Sequence, residues 1–432
     1  MKKVAFYTLG CKVNQYETEA MLEMFEKEGY SQVESEDYAD VYVINTCTVT
    51  HMSDRKSRQY IRRVKKKNPD AIIAVVGCYS QVSPEEILEI EEVNLVMGTN
   101  DRRKIVEEIK QLDSTKKAST VDDIMKVKAF EEIEISQTNG KTRAFMKIQD
   151  GCDRFCSYCI IPYARGRVRS RDINSIMDEV HKLVNNGFKE FVLTGIHVAS
   201  YGKDVKDAEI NLLSVIKSIN DVNGVERIRL SSVEPILFTE EFVSEVSKMK
   251  KVCPHYHLSL QSGCDETLNR MNRRYTTSEY KTIVDRLREN IPNVAITTDV
   301  IVGFPGETNN EFSKTYEFLR DIELSQMHIF KYSPRKGTPA ATMENQIDPQ
   351  MKQLRSDKLL NLSKENFNKF ASKFIGQELE VLFEQNIVDD KYEGLTPNYI
   401  RVVVPSENDI QGKILKVKIT DVKNEYVEGI LV

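Results

Sequence analysis

Three cysteines, Cys152, Cys156 and Cys159, fall within eight positions in the stretch GCDRFCSYC at 151–159. Thiolates are soft ligands and select zinc or iron–sulfur clusters. A structural zinc wants a fourth Cys or His close by, yet the nearest histidines, His181 and His197, stand well outside the loop. A [4Fe–4S] cluster held by three thiolates instead leaves one iron open to a further ligand. A second trio is scattered: Cys11, Cys47 and Cys78 each follow a short apolar run, in KVAFYTLGC, VYVINTC and IIAVVGC. In an open parallel sheet the C-terminal ends of the strands share one edge, where ligands bind. Three cysteines at three such ends converge there, and a second three-thiolate cluster with an open iron is expected. Cys253 and Cys264 flank VCPHYHLSLQSGC and read as packing residues, with His255 and His257 alternating along that strand without a ligand role.

The surrounding pattern supplies the elements that must hold these thiols. Residues 1–113 alternate strand and helix: the runs at 3–8, 41–46 and 71–77 are continuously apolar, as strands buried on both faces are, and 15–28 reads as a helix stopped by Gly29. This predicts a small doubly wound parallel α/β domain. Residues 114–139 are polar with turn chemistry and read as a linker. Over 140–370, candidate strands at 143–149, 189–194, 226–232, 256–261, 294–301 and 325–330 alternate with helices, among them 173–186 and 278–289. Six such units predict a partial (β/α)6 barrel with the cysteine loop at the end of its first strand. From 371 to 432 short alternating strands predict a small antiparallel β-barrel. The fold class expected is α/β with that all-β appendage.

The CxxxCxxC spacing at the end of a first barrel strand resembles the radical S-adenosylmethionine superfamily. Two such open trios, the second on an N-terminal α/β domain, resemble the methylthiotransferases within it, over nearly the whole chain. The last segment is similar to a TRAM domain. The stretches LGCKVNQYE (9–17) and KIQDGCDRFCSYCIIPYARGRVRSR (147–171) look most like the bacterial enzymes that act on N6-threonylcarbamoyladenosine in tRNA. That resemblance implies two [4Fe–4S] clusters, one on Cys152, Cys156 and Cys159 and an auxiliary one on Cys11, Cys47 and Cys78. It implies S-adenosylmethionine (SAM) as radical source and methyl donor, and the adenosine at tRNA position 37, in the anticodon loop, as acceptor. The 5′-deoxyadenosyl radical activates C2–H, and sulfur and a methyl group are then installed. SAM contacts are expected at the ends of barrel strands: Thr194 and Gly195, Ser232 and Glu234, Gln261, and Asp299. A flavodoxin-like or ferredoxin-like electron donor and a monomeric state go with the resemblance, which leaves the sulfur donor unnamed.

Composition bounds the alternatives. No apolar run approaches the roughly 18 residues of a membrane span, and eight cysteines in a long chain without disulfide spacing suit a reducing compartment. The N-terminal MKKVAFYTLGC reads as a first strand rather than a lipoprotein signal, so a cytoplasmic protein is expected. Net charge is −5, so attraction to RNA must be local. Two basic patches stand out: 55–67, with eight Lys/Arg and no acid, and Arg165, Arg167, Arg169 and Arg171 beside the cysteine loop. The last segment, with seven basic and eleven acidic residues, is net acidic. An acidic barrel suits a basic protein partner, as in relatives that modify an aspartate of ribosomal protein S12, although Arg401, Lys413, Lys416 and Lys418 form a local basic strip. Isopentenyladenosine in tRNA is another acceptor used by relatives. A non-catalytic iron–sulfur protein that binds RNA or senses redox state is the alternative of another class.

Overall fold

The computed structural model describes residues 2–49, 51–135, 142–207, 209–388 and 390–432. The first six strands are β1 (Lys3–Thr8), β2 (Ser31–Val33), β3 (Val41–Thr46), β4 (Ile72–Gly77), β5 (Leu95–Met97) and β6 (Ala118–Thr120). They form a wholly parallel sheet in the order 2-1-3-4-5-6. Helices cover both faces, so its apolar side chains divide into two cores. Met21, Phe25, Val43 and Val76 lie in one, Tyr42, Ile44, Ile61 and Val75 in the other. The three predicted strands are all present. The three that sequence periodicity missed are three residues long, too short to carry a period.

The predicted linker is less of a linker than its composition implies. Ala118–Thr120 closes the sheet edge as β6, and Ile124, Ile133 and Ile135 are buried. Its last residues, from 136, lie outside the described residues.

The central strands are β7 (Arg143–Asp150), β8 (Arg169–Ser170), β9 (Glu190–Gly195), β10 (Arg227–Leu230), β11 (His255–His257), β12 (Ala295–Val302) and β13 (Gln326–Lys331). Apart from the two-residue β8, antiparallel at the edge of β7, they run parallel in the order 7-9-10-11-12-13. Single bridges at Ile228–Val252 and Val233–Leu258 connect β10 to β11. The result is an open arc of six strands. Ala144, Met146, Ile148, Phe191, Leu193 and Ile228 pack outward against the helices. The alternate residues face inward and are polar: Lys147, Glu190, Arg229 and His255.

Those polar side chains meet the flanking domains. Strands β14 (Glu378–Val388), β15 (Lys391–Leu395), β16 (Arg401–Pro405), β17 (Ile414–Val422) and β18 (Val427–Leu431) close a five-stranded barrel. All its pairings are antiparallel except β16 with β18. It docks at the N-terminal ends of the central strands. Arg227 donates to Leu395 O at 3.0 Å, Arg229 to Pro397 O at 2.9 Å, and His255 stacks on Tyr399 with centroids 4.3 Å apart. The opposite, C-terminal end of the arc stays open for chemistry. Among the described residues no helix is long and apolar enough to cross a membrane.

Candidate active site between two thiol trios

Cys152, Cys156 and Cys159 occupy the loop after β7. The backbone there is specialised: Gly151 has φ +72°, and a Cβ on it would lie 1.8 Å from Arg167 O. Phe155, at φ +47°, is a bulky residue in the left-handed region. It is held by the Arg167 guanidinium 4.9 Å over its ring and by Asn272 donating to its carbonyl at 3.0 Å. Arg273 Nη1 donates to Cys156 Sγ at 3.2 Å, and the Arg154 backbone N–H to Cys152 Sγ at 3.5 Å.

Cys11, Cys47 and Cys78 do meet at one sheet edge. Each directly follows, or lies within three residues of, the end of β1, β3 or β4, and these strands are neighbours with Thr8 opposite Asn45 and Thr46 opposite Gly77. Gly10, at φ +119°, brings the chain so close that a Cβ would sit 3.0 Å from Cys47 Cβ. The turn before Cys11 therefore tolerates no side chain.

Both donor sets fit an iron–sulfur cluster. All eight cysteines are free thiols. Burial pushes the Cys47 thiol up, Cys78 to about 12, Cys152 to about 11 and Cys159 to about 12, and neighbouring thiols of the same trio add to each shift. Thiols pushed up in this way give up their protons when a cationic partner arrives. Among the described residues no three His, Cys, Asp or Glu side chains converge tightly enough for a single metal ion. A cubane asks for a wider spacing, because each thiolate binds its own iron.

Of the expected SAM contacts, Gln261 and Asp299 line one cavity of about 250 Å³ together with Tyr158, Cys159, Arg335 and Val49. Gln261 adopts φ +75°, and Asp299 faces His257 Nε2 at 3.3 Å. Val49 lies two residues past Cys47, so the cavity reaches from the radical loop to the segment that follows Cys47. Arg335 pins that seam, with Nη2 donating to Thr48 Oγ1 at 2.5 Å and Asp54 Oδ2 at 2.7 Å. Glu234 stands apart from this cavity but beside the radical loop. It pairs with Arg154, with His197 Nε2 at 3.1 Å and with Arg273 at 3.8 Å. Burial would push its carboxyl up, but the His197 hydrogen bond and the two guanidiniums hold it down at about 2. Thr194 is buried at the end of β9, and Gly195 lies against Gln149, whose side chain accepts from His197 N at 2.7 Å. Ser232 is exposed, unlike the others. Its neighbour Ser231 is the buried one, with an unpartnered hydroxyl, because the chain leaves β10 at Leu230.

The basic patches divide sharply. Arg165, Arg169 and Arg171, expected to attract RNA, are 0%, 2% and 1% exposed and so cannot meet a phosphate. Arg171 pairs with Glu179 and Glu132, while Arg165 and Arg169 face Asp150. Only Arg167 of the four is exposed. The helix His51–Lys67, in contrast, buries Tyr60, Ile61 and Val64 and exposes its cations. Among the described residues Arg55, Lys56, Arg62 and Lys66 form no ion pair, whereas Arg58 and Arg63 pair with Glu86 and Glu36. On the C-terminal barrel, Lys416 and Lys418 stand opposite Glu380 and Glu378, and Arg401 pairs with Glu393. The expected strip is thus largely neutralised.

Family models match along the chain: the uncharacterized protein family UPF0004 at residues 3–98, the radical SAM superfamily at 146–319 and the TRAM domain at 372–432. A threonylcarbamoyladenosine tRNA methylthiotransferase MtaB of Bacillus subtilis (strain 168) is 44% identical over 99% of this chain and 96% of its own length. The chain belongs to the tRNA methylthiotransferase family of radical SAM enzymes. A tRNA-2-methylthio-N(6)-dimethylallyladenosine synthase of Clostridium novyi (strain NT) is 36% identical over 99% of the chain and 96% of that protein. Among solved structures, the radical SAM methyltransferase TsrM of Kitasatospora setae, with cobalamin and a [4Fe–4S] cluster bound, superposes with a TM-score of 0.57 at 16% identity. The match covers 79% of this chain and 77% of that one, a likeness of fold. Radical SAM membership implies SAM and a [4Fe–4S] cluster.

Sequence reasoning missed Arg154, Arg273, Arg335 and Asn14. Arg154 and Asn14 stand beside Cys152 and Cys11 in sequence, but their partners Glu234 and Arg165 lie far along the chain, and Arg273 and Arg335 are themselves far from the loops they contact.

Proposed function

We propose that this methylthiotransferase acts on N6-threonylcarbamoyladenosine in the tRNA anticodon loop, converting it to the 2-methylthio derivative. The full-length likeness to enzymes named for that substrate supports the choice. The observation that carries the two-site chemistry is the cavity lined at once by Cys159 and by Val49, beside Cys47. When bound, a cluster on Cys152, Cys156 and Cys159 supplies reductive cleavage of SAM, and one on Cys11, Cys47 and Cys78 supplies an iron that carries sulfur.

The chain's own residues do the rest. Glu234, held ionised, matches the SAM ammonium group, with Arg154 as the cation it exchanges. Gln261, Asp299, Thr194 and Gly195 offer hydrogen bonds and close backbone approach to the nucleoside. Tyr158, Phe330 and Tyr332 give the cavity aromatic walls on which a splayed-out loop base stacks. The free cations of His51–Lys67 draw the phosphate backbone toward the auxiliary edge. The protein works as a monomer with a flavodoxin-like or ferredoxin-like electron donor, in the cytoplasm.

Nucleoside mass spectrometry of tRNA from a deletion strain tests this reading. The 2-methylthio mark on threonylcarbamoyladenosine is lost, and returns with the wild-type gene but not with Cys47→Ala. A mark that survives the deletion, or loss from dimethylallyladenosine instead, overturns the substrate assignment.

A further inference from the structure

The arginine that fails as an RNA contact leads to another role. Arg165 ends the short helix Ile161–Arg165, just past the radical loop, and is fully buried. Its guanidinium leaves the radical domain and enters the N-terminal one. Nε donates to Cys78 Sγ at 3.2 Å. Nη2 donates to Asn14 Oδ1 at 2.7 Å and Glu17 Oε2 at 2.9 Å, and Nη1 pairs with Glu17. Asn14 relays the contact. Its Nδ2 donates to Leu9 O at 2.8 Å, beside Cys11, and to Thr46 O at 3.0 Å, next to Cys47. One guanidinium and one amide thus touch all three strand ends that carry the auxiliary thiols.

The charges around this contact do not balance. Glu17, Glu131 and Asp150 are buried with Arg102, Lys147, Arg165 and Arg169, joined by pairs such as Lys147–Glu17 at 2.8 Å and Lys147–Asp150 at 2.6 Å. Among the described residues three carboxylates face four cations here, so one positive charge is left over in a dry interior, where an unmatched charge is costly. A dicationic cubane on three thiolates carries one negative charge, and the Arg165–Cys78 contact puts the surplus against it.

We propose that Arg165, with Asn14 as its relay, is a positioning residue of the auxiliary site: it fixes the three thiol-bearing strand ends and raises the reduction potential of the cluster they hold. This rests on the reading of Cys11, Cys47 and Cys78 as cluster ligands. An N–H donor and a buried positive charge both favour the more negative, one-electron-reduced form, so their removal lowers the potential. Because Arg165 belongs to the helix that follows the radical loop, the auxiliary potential depends on a residue of the other domain.

The test is a dithionite potentiometric titration of the anaerobically reconstituted full chain, followed by electron paramagnetic resonance. Wild type must first hold about eight irons per chain; about four, all lost with Cys156→Ala, defeats the two-cluster reading itself. Given eight, Arg165→Gln moves the auxiliary midpoint to more negative potential while the radical-site midpoint stays. Arg165→Lys, which keeps a charge against Glu17, moves it less. An auxiliary midpoint unchanged in a fully loaded variant overturns the proposal. Should the Arg165 variants fail to fold, protein that keeps Arg165 and is grown with 15N-arginine decides. The full chain with Cys152, Cys156 and Cys159 replaced by Ala isolates the auxiliary signal, and hyperfine spectroscopy then detects a guanidinium nitrogen coupled to it. Absence of that coupling overturns the proposal equally.

Discussion

The two thiol trios are built by opposite means. Cys152, Cys156 and Cys159 come from one loop, whose shape is set locally by Gly151 and by Phe155 in the left-handed region. Cys11, Cys47 and Cys78 follow three neighbouring parallel strands, so β1, β3 and β4 have to pair for the trio to exist. Each trio receives one guanidinium N–H at 3.2 Å, from Arg273 to Cys156 and from Arg165 to Cys78. The settings differ. Arg273 is shared with Glu234 and Tyr275 around the radical loop, where a small charged cosubstrate is expected. Arg165 is embedded in an ionic network sealed between domains. The contiguous loop takes its guanidinium from a residue of its own domain, whereas the trio assembled across a sheet takes one from the other domain.

That comparison can be broken most directly at the thiols. Cys156→Ala is expected to abolish formation of 5′-deoxyadenosine from SAM together with methylthiolation. Cys47→Ala is expected to abolish methylthiolation while cleavage of SAM persists, each variant losing about half the iron. Chromatography of the nucleoside products with an iron assay checks both, and loss of SAM cleavage in Cys47→Ala would merge the two sites into one.

The next effect is on stability. Glu17 is fully buried; burial pushes its carboxyl up, but Arg102, Arg165 and Lys147 hold it down at about 2. Glu17→Gln strands buried cations and should destabilise the chain by about 3–5 kcal/mol, read by urea unfolding. A cost below about 1 kcal/mol would show that the network is not a strut.

The domain contact at the far end of the arc should matter less. Tyr399→Ala removes the stack on His255 and the ring under Arg229, 4.9 Å from its centroid. A loss of about 1–2 kcal/mol is expected, with faster proteolytic release of the C-terminal barrel. An unchanged cleavage pattern would mean that Arg227 and Arg229 suffice for docking.

The smallest effect concerns pH. The Glu234 carboxyl lies at about 2 in the folded chain, below its unfolded value of roughly 4.3. Its contribution is therefore present above that value and is lost as pH falls toward 2. The stability gap between wild type and Glu234→Gln should shrink as pH is lowered from about 5 to about 2.5. A gap that widens would place the carboxylate's partners elsewhere.

Much of this was legible in the chain. The apolar runs ending at Thr8, Thr46 and Gly77 gave strands because buried parallel strands lack alternation, and the cysteines after them followed. The barrel strands were readable within a few residues, except that β11 ends at His257; beyond it the pairing continues only as single bridges, Leu258 to Val233 and Gln261 to Val300, where Gln261 takes a positive φ. The arginines were misread for a physical reason. Charge in sequence suggests solvent, and only packing reveals that Arg165, Arg169 and Arg171 each find a buried carboxylate. Ser232 failed similarly, where the strand stopped short and its neighbour took the buried side.

The sequence by itself determined where the thiols stand, one set in a loop and one at three strand ends, because residue identity and spacing do not depend on the rest of the fold, and it determined the order of strand-and-helix and all-strand regions, because periodicity is local. Tertiary structure alone decided which cations face water and which are sealed beside a thiol. Pairing between Arg165 and Glu17 spans 148 positions, and no local pattern encodes a contact whose energy comes from desolvation by two domains at once.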